Sequence, residues 1–246
     1  MTESRPTVAV FRPDDGRLAA AVETVKSLGG RPMPDAMLSV EPTDAIPRTD
    51  ADVVILTSST GARLVSEMDW QPGDSRLAAI GETTADTLRE AGYSVDLVPD
   101  EYSSAGLVAA LRESVDGARI EVARSDHGSA VLLDGLEAGG AYIHETVLYR
   151  LERPTDAGAS VEAAAAGDLD AALFTSSLTV EHFLTVADER DCRASAIDGL
   201  SDATVGAIGT PTADTAREAG ITVDVVPDVA DFEQLARAVL ASRPNR

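Results

Sequence analysis

The chain has 246 residues, 44% of them hydrophobic and 4% aromatic, which is the composition of a globular protein and excludes a disordered chain. Its formal net charge is -22, from 42 acidic and 20 basic residues, so its overall field opposes non-specific binding to nucleic acid or to an anionic membrane. The single cysteine, Cys192, excludes an intrachain disulfide and a thiolate metal site.

Short apolar strands alternate with amphipathic helices from the start of the chain. "TVAVFRPDDG", from Thr7, predicts a strand and a turn that opens a helix. "ADVVILTSSTGARLVSEM" predicts a strand at Val53–Leu56, a Thr-Ser-Ser turn and a helix from about Gly61. "LDAALFTSSLTVEHFLTV" repeats this pattern further along the chain. Strands that alternate with helices indicate an α/β fold with parallel sheets and helices on both faces.

One long unit occurs twice. "AIGETTADTLREAGYSVDLVPD" begins at Ala79 and "AIGTPTADTAREAGITVDVVPD" at Ala207, and 16 of 22 positions are identical at an offset of 128. Each copy predicts a strand, a glycine turn, a helix and a further strand. The Thr-Ser-Ser turns lie 118 residues apart, so the second copy carries ten extra residues, which we interpret as a surface loop around "DERDCRASAIDG".

A fainter repeat alternates with the first one, with copies that begin at Thr7 and at Arg119. Arg12 in its first copy aligns with Arg124 in its second. The chain therefore has the order A-B-A′-B′, in which A and A′ are the copies of the fainter repeat (strand–helix–strand). B and B′ are the copies of the clearer repeat, each with three strands that alternate with three helices. Two Pro-rich segments, "RPMPDAMLSVEPTDAIP" and "YIHETVLYRLERPTD", have strand composition, and we expect them to flank the sheets and to pair as a two-stranded connector. Within the long units, Thr84 and Thr212 are expected to cap their helices.

Ligands of open α/β sheets bind beyond the carboxyl ends of the strands. Here those ends carry turns rich in Ser, Thr and Gly that open helices, and helix amino termini attract anions. Two facing domains would line a cleft with such turns. The same residues are equally well explained as the turns of a βαβ scaffold. Arg12 and Arg124 suit either a ligand carboxylate or an ion pair with the abundant acids.

The sequence contains none of the common phosphate-binding, dinucleotide-binding or metal-binding motifs. The chain has no GxGxxG, no phosphate-binding loop that ends in Gly-Lys, and no HxxxH pair, so we expect no metal site. Of the three histidines, only His127 follows a predicted strand directly.

Several motifs together resemble the uroporphyrinogen-III synthase family. They are "VFRP" in the first strand, "VVILTSSTG" and "AALFTSSLTVEHF", the two "AIG" units, and "ETVLYR" in the second connector. The resemblance covers nearly the whole chain. It implies two α/β domains, 1–32 with 155–246 and 43–143, joined by connector strands at 33–42 and 144–154. In this arrangement A joins B′ and A′ joins B. From the residues alone, a domain made of A and B is equally plausible.

The resemblance implies that the chain cyclises hydroxymethylbilane to uroporphyrinogen III, with loss of water and inversion of ring D, without cofactor or metal. It makes Tyr149 the candidate that assists the departing hydroxyl, although an aromatic packed in a strand explains Tyr149 equally well. The eight carboxylates of this substrate suit turns that bind anions. The expected substrate-binding residues are Arg12, Thr57, Ser58, Ser59, Gly81, Thr84, Arg124, Thr175, Ser176, Ser177, Gly209, Thr210 and Thr212.

Two other functions fit the pattern less well. A two-lobed sensor of small anions would share the fold without chemistry. A duplicated receiver domain needs a lysine on a late strand, and the sole lysine, Lys26, lies in a predicted helix. We expect a cytoplasmic monomer that binds neither nucleic acid nor membrane, with hydroxymethylbilane synthase as a candidate donor of substrate. The scattered acidic residues are typical of adaptation to high salt.

Overall fold

A computed structural model describes residues 5–242 of the chain. The chain divides into two compact units, which are described separately: unit 1 takes in the chain up to Val40 and from Glu152 onward, and unit 2 spans Glu41–Leu151. No described helix is long and apolar enough to cross a bilayer. In chain order the elements are β1 (Thr7–Phe11), α1 (Gly16–Ser27), β2 (Arg31–Pro34), β3 (Ser39–Pro42), β4 (Val53–Leu56), α2 (Ser59–Glu67), β5 (Arg76–Ala79), α3 (Glu82–Glu90), α4 (Ser104–Leu111), β6 (Arg119–Ser125), α5 (Ala130–Ala138), β7 (Tyr142–Glu152), α6 (Ala159–Ala166), β8 (Ala171–Phe174), α7 (Ser177–Glu189), α8 (Arg193–Ser201), β9 (Thr204–Ala207), α9 (Thr210–Glu218) and α10 (Phe232–Ser242).

Unit 1 contains a four-stranded sheet in the order β2-β1-β8-β9, whose neighbouring strands all run parallel. Phe11 lies opposite Phe174, and Phe174 opposite Ala207, so the carboxyl ends of three strands meet at one edge. One face of the sheet buries Phe11, Phe174 and Phe183, and the first two rings stack with centroids 4.5 Å apart. The α/β class with parallel sheets is confirmed.

Unit 2 contains the sheet β3-β7-β6-β4-β5. The pairs β4–β5, β4–β6 and β6–β7 are parallel, and Leu56 lies opposite both Ala79 and Ala123. β7 differs from the expected connector because seven of its first eight residues pair with β6 inside the sheet, and its later part runs beside β3. The long alternating run from Tyr142 is therefore a sheet strand as well as a connecting one. The residue-level domain boundaries stay a prediction.

The ten extra residues of the second copy form a helix, so their interpretation as a surface loop was wrong. Residues 193–201 form α8, which buries Ala196 and Leu200. It approaches α6 so closely that a Cβ on Gly199 would lie 1.8 Å from the carbonyl oxygen of Ala164. The helix was hidden in the sequence because its apolar residues are few and form no wide apolar stripe. Cys192 precedes this helix and is half-buried.

The helices of the long units begin differently from the prediction. Gly81 and Gly209 are the N-cap residues of α3 and α9, both with extended backbone. Thr84 and Thr212 lie within the first helical turn and are 4% exposed, so they do not cap the helices. The turn is made by the glycine before the helix, and both threonines are buried instead.

Tyr93 carries a buried phenol, and we expect its contribution to the free energy of unfolding to depend on pH. Its hydroxyl donates to the carbonyl of Trp70 at 2.6 Å, and the carbonyl of Val65 lies 3.2 Å away. Burial, and then the negative charge of Asp69, raise the pKa of Tyr93 above its ordinary value of about 10. Tyr93→Phe should lower the free energy of unfolding by about 1 kcal/mol at neutral pH.

The unfolded chain ionises Tyr93 before the folded chain does. The stabilisation by this phenol is therefore complete below pH of about 10 and is lost as the pH rises through the raised pKa. Urea unfolding of both proteins at neutral and alkaline pH measures the difference. An advantage of the wild-type chain that stays constant above pH of about 10 would contradict this account.

Candidate active site

The Thr-Ser-Ser turn after β4 places Ser58 as the N-cap of α2, against a tyrosine on β7. Ser58 Oγ accepts a hydrogen bond from the N–H of Gly61 at 3.0 Å and lies 2.9 Å from the hydroxyl of Tyr149. Tyr149 is 6% exposed and pairs with Ser125 at the carboxyl end of β6. Either hydroxyl can donate to the other, so one hydroxyl hydrogen of the pair is free to point elsewhere. Thr57 and Ser59, on either side, are half-buried.

Gly61 keeps this turn compact. A Cβ at Gly61 would lie 3.3 Å from both Leu148 Cδ1 and Ser58 Oγ, so a larger side chain would press on the strand that carries Tyr149 and on the serine that bonds to it. The glycine thus has a packing role beside the Ser58–Tyr149 pair.

Gly81 follows β5, the strand next to this turn, because β5 pairs with β4 and Leu56 is opposite Ala79. Arg124 stands apart from a ligand-binding role. It is 6% exposed, its Nε donates to Glu145 at 2.6 Å and its Nη1 donates to the carbonyl of Ser129 at 2.6 Å. Of the two roles considered for Arg124, the structure favours the ion pair.

Asp126 and His127 follow β6 at the same edge. His127 Nδ1 lies 2.9 Å from Asp126 Oδ1, which also accepts the N–H of Leu151 at 3.0 Å. Burial alone would raise the pKa of Asp126, but the hydrogen bonds from His127 and Leu151 outweigh it and lower that pKa. Asp126 thereby ties the turn after β6 to β7.

The equivalent turn of unit 1 follows β8. Ser176 is the N-cap of α7 and forms a capping box with Thr179, which stands where the first turn has Gly61. Thr175 Oγ1 donates to the carbonyl of Phe11 at 2.5 Å and Ser177 Oγ to the carbonyl of Pro211 at 3.2 Å. These bonds tie the turn to β1 on one side and to α9 on the other.

Gly209 and Thr210 complete this edge, since β9 pairs with β8 and Ile208 donates to the carbonyl of Phe174. Gly209 is half-buried and Thr210 exposed. Within each unit the predicted strand-end residues therefore come together. Thr84 and Thr212 lie buried in the first turns of α3 and α9, and Arg124 is already paired.

Arg12 directly follows β1 at the same edge of unit 1. Its guanidinium carbon lies 5.0 Å from the ring centroid of Phe232, and its buried Nε has no hydrogen-bond partner among the described residues. Burial, and then the positive charge of Arg17, lower the pKa of Arg12 below its ordinary value. Asp15 and Asp231 act in the opposite direction and favour the cation. The Nε still lacks a hydrogen-bond acceptor, which an anionic ligand would supply.

Phe232 was missed in the sequence because it has the pattern of the first apolar residue of an amphipathic helix. The spacing of the apolar residues in α10 accounts for it without any contact to Arg12. Among the described residues, no three His, Cys, Asp or Glu side chains are grouped so that they could hold a metal ion.

The fold and these strand ends define a two-unit α/β protein in which each parallel sheet ends in a polar, serine-capped turn. Residues 19–237 match the family model described as uroporphyrinogen-III synthase HemD. The chain belongs to the uroporphyrinogen-III synthase family, which confirms the resemblance found in the sequence. It is 32% identical, over 96% of this chain and 98% of the other, to a Methanothermobacter thermautotrophicus protein that bears a provisional uroporphyrinogen-III synthase name.

Two solved structures are similar in fold. A mutant uroporphyrinogen III synthase from the extremely thermophilic bacterium Thermus thermophilus has a TM-score of 0.67 at 19% identity, covering 95% of this chain and 96% of that one. A uroporphyrinogen-III synthetase from Helicobacter pylori also has a TM-score of 0.67, at 16% identity, covering 98% of this chain and 100% of that one.

Proposed function

We propose that this chain is a cyclising hydro-lyase that converts hydroxymethylbilane to uroporphyrinogen III, with loss of water and inversion of ring D. The observation that carries the proposal is the hydrogen-bonded pair of Ser58 and Tyr149, placed at the carboxyl edge of a parallel sheet in a member of the uroporphyrinogen-III synthase family.

The chemical step begins with departure of a hydroxyl group, which leaves more easily as water. When Ser58 donates to the oxygen of Tyr149, the phenol hydrogen is free to be donated to that leaving group. Water leaves, and the pyrrole nitrogen gives up its N–H proton, which replaces the proton lost by the phenol. The product is an electrophilic azafulvene, which the substituted carbon of ring D attacks to form a spiro intermediate. Fragmentation and reclosure of this intermediate invert the ring. General acid help of this kind contributes about 10²–10⁴-fold to a rate.

Positioning is the other contribution. Closure without an enzyme gives the uninverted isomer, so the protein must hold ring D in the less favourable approach. Well-oriented intramolecular closure is worth about 7–11 kcal/mol at best. The N-terminal N–H groups of α2, α3, α7 and α9 are suited to hold the substrate carboxylates, with Thr57, Ser58, Ser59, Gly81, Thr175, Ser176, Ser177, Gly209 and Thr210 at the turns.

Arg12 is the side chain best suited to bind one carboxylate, because its buried Nε has no partner among the described residues. Arg12→Gln should raise KM for hydroxymethylbilane by roughly tenfold or more and leave kcat nearly unchanged, as expected for a lost charge-assisted hydrogen bond. Steady-state kinetics at fixed salt measure this split. Arg237→Gln is the matched control, because Arg237 is 64% exposed and pairs with Glu233 on its own helix. Equal KM values for both variants would remove Arg12 from the site.

Multiple turnover tests the proposal against the sensor alternative. Hydroxymethylbilane, generated in buffer of low and of molar salt, should disappear faster with catalytic amounts of the protein than without it. The sensor account predicts instead that calorimetry detects binding of inorganic phosphate while the bilane disappears at the uncatalysed rate. That second result, with folded protein at both salt concentrations, would overturn the synthase proposal.

Finer features belong to the same proposal. The net charge of -22 suits a protein that works at high salt, where the Debye length is only about 3 Å and self-repulsion is screened. We also propose that the chain acts as a monomer in the cytoplasm and receives its unstable substrate from hydroxymethylbilane synthase.

A further inference from the structure

Tyr102 is an exposed aromatic side chain beside the candidate site of unit 2. It is 64% exposed, and it is one of only four tyrosines in the chain. Its side chain rests on Gly81, where an added Cβ would lie 3.1 Å from both Cβ and Cγ of Tyr102. Gly81 follows β5, and the neighbouring β4 leads into Ser58 at the same sheet edge. Tyr102 therefore stands at the edge that carries the Ser58–Tyr149 pair.

The repeat within the chain shows that the fold does not require an aromatic at this position. At the offset of 128, Tyr102 corresponds to Ala230. The same local features nevertheless surround this position in both copies. Leu97 and Val225 each make a single parallel bridge to the last strand before them, and in both copies a side chain caps the helix that follows. A tyrosine that the scaffold can replace by alanine, and that remains mostly exposed, calls for a role other than packing.

The two copies also differ in what covers the glycine. The ring of Tyr102 fills the space that a side chain on Gly81 would need, whereas the nearest atom to an added Cβ at Gly209 is Pro211 Cδ, at 3.9 Å. Unit 1 instead places the cationic Arg12 against Phe232 at its edge. One edge thus offers an exposed tyrosine and the other a half-buried cation.

We propose, resting on the synthase function proposed above, that Tyr102 binds the substrate by stacking on one of its pyrrole rings. A pyrrole is a flat aromatic ring, and such rings pair with a tyrosine face in offset or edge-to-face geometry. Tyrosine has only two side-chain torsions, so little conformational entropy is lost when it is held against the ligand. Because the other copy lacks this ring, Tyr102 distinguishes one part of the substrate from the rest. It is a specificity-determining residue rather than a participant in proton transfer.

The test compares Tyr102→Ala, which installs the residue of the other copy, with Tyr102→Phe, which keeps the ring and removes the hydroxyl. Tyr142→Ala is the matched control, since Tyr142 is 71% exposed and begins β7, at the opposite end of the strand from Tyr149. KM and kcat for hydroxymethylbilane are measured for the wild-type chain and all three variants, along with their free energies of unfolding.

We expect Tyr102→Ala to raise KM roughly tenfold, with kcat within about twofold of the wild-type value and unfolding unchanged. Tyr102→Phe and Tyr142→Ala should resemble the wild-type protein. A wild-type KM in Tyr102→Ala would overturn the role of Tyr102 but not the synthase function. An equal rise of KM in Tyr102→Phe would do the same, because the hydroxyl and not the ring would then bind the substrate. Absence of turnover by the wild-type chain would overturn the synthase function and the role of Tyr102 with it.

Discussion

Tyr149→Phe is expected to lower kcat for formation of uroporphyrinogen III by about a hundredfold or more, with little change in KM. The substitution keeps the buried ring and removes only the hydroxyl that lies 2.9 Å from Ser58 Oγ. An aromatic that serves only to fill space between strands would tolerate this change, so the variant separates the two roles considered for Tyr149. Steady-state kinetics with hydroxymethylbilane, resolved by product isomer, provide the measurement.

Ser58, the hydrogen-bond partner of Tyr149, provides a second test of the same role. If the two hydroxyls act as one unit, Ser58→Ala should also lower kcat, and the double variant should be little worse than the more damaging single variant. Unfolding must be measured in parallel, because Ser58 also caps α2 through the N–H of Gly61, and loss of such a cap costs about 1 kcal/mol. Full activity of Tyr149→Phe would leave Tyr149 with packing alone.

Gly199→Ala is expected to have the largest effect on stability, lowering the free energy of unfolding by at least about 2 kcal/mol. Its new Cβ would lie 1.8 Å from the carbonyl oxygen of Ala164, a backbone atom that can move only if α6 and α8 separate. Alanine is favoured over glycine inside a helix by about 1 kcal/mol, so the clash must exceed that gain for the prediction to hold.

Urea unfolding at fixed salt measures this effect as a lower midpoint with an unchanged slope. Gly16→Ala is the control, since a Cβ at Gly16 meets no atom within 4 Å and that residue also lies in a helix. A Gly199→Ala protein as stable as the control would contradict the close packing of α6 against α8.

The strands and their turns were predictable because their signals are local. Four consecutive apolar residues at Val53–Leu56 and a serine three residues before Gly61 are enough to predict a buried strand and the turn that opens α2. The grouping of Ser58 with its neighbours at one edge follows from parallel strands alone. The family resemblance singled out Tyr149.

Other features depend on tertiary contacts that leave little trace in sequence. The helix α8 has no wide apolar stripe and packs on α6 through the close approach of Gly199, which no periodicity reveals. Thr84 looks like a helix cap by composition, but the extended backbone of Gly81 begins the helix three residues earlier. Arg12 Nε has no hydrogen-bond partner among the described residues, whereas Arg124 pairs with Glu145. Both facts depend on the folded structure and are not visible in the sequence around either arginine.

The most direct test of the central claim is the isomer composition of the product. Hydroxymethylbilane is generated in salt-containing buffer, the protein is added, the products are oxidised, and type I and type III porphyrins are separated by chromatography. The account predicts mainly the type III isomer, formed in proportion to the amount of protein. Only type I porphyrin, formed at the rate of the protein-free control by a chain shown to be folded at both low and molar salt, would contradict it.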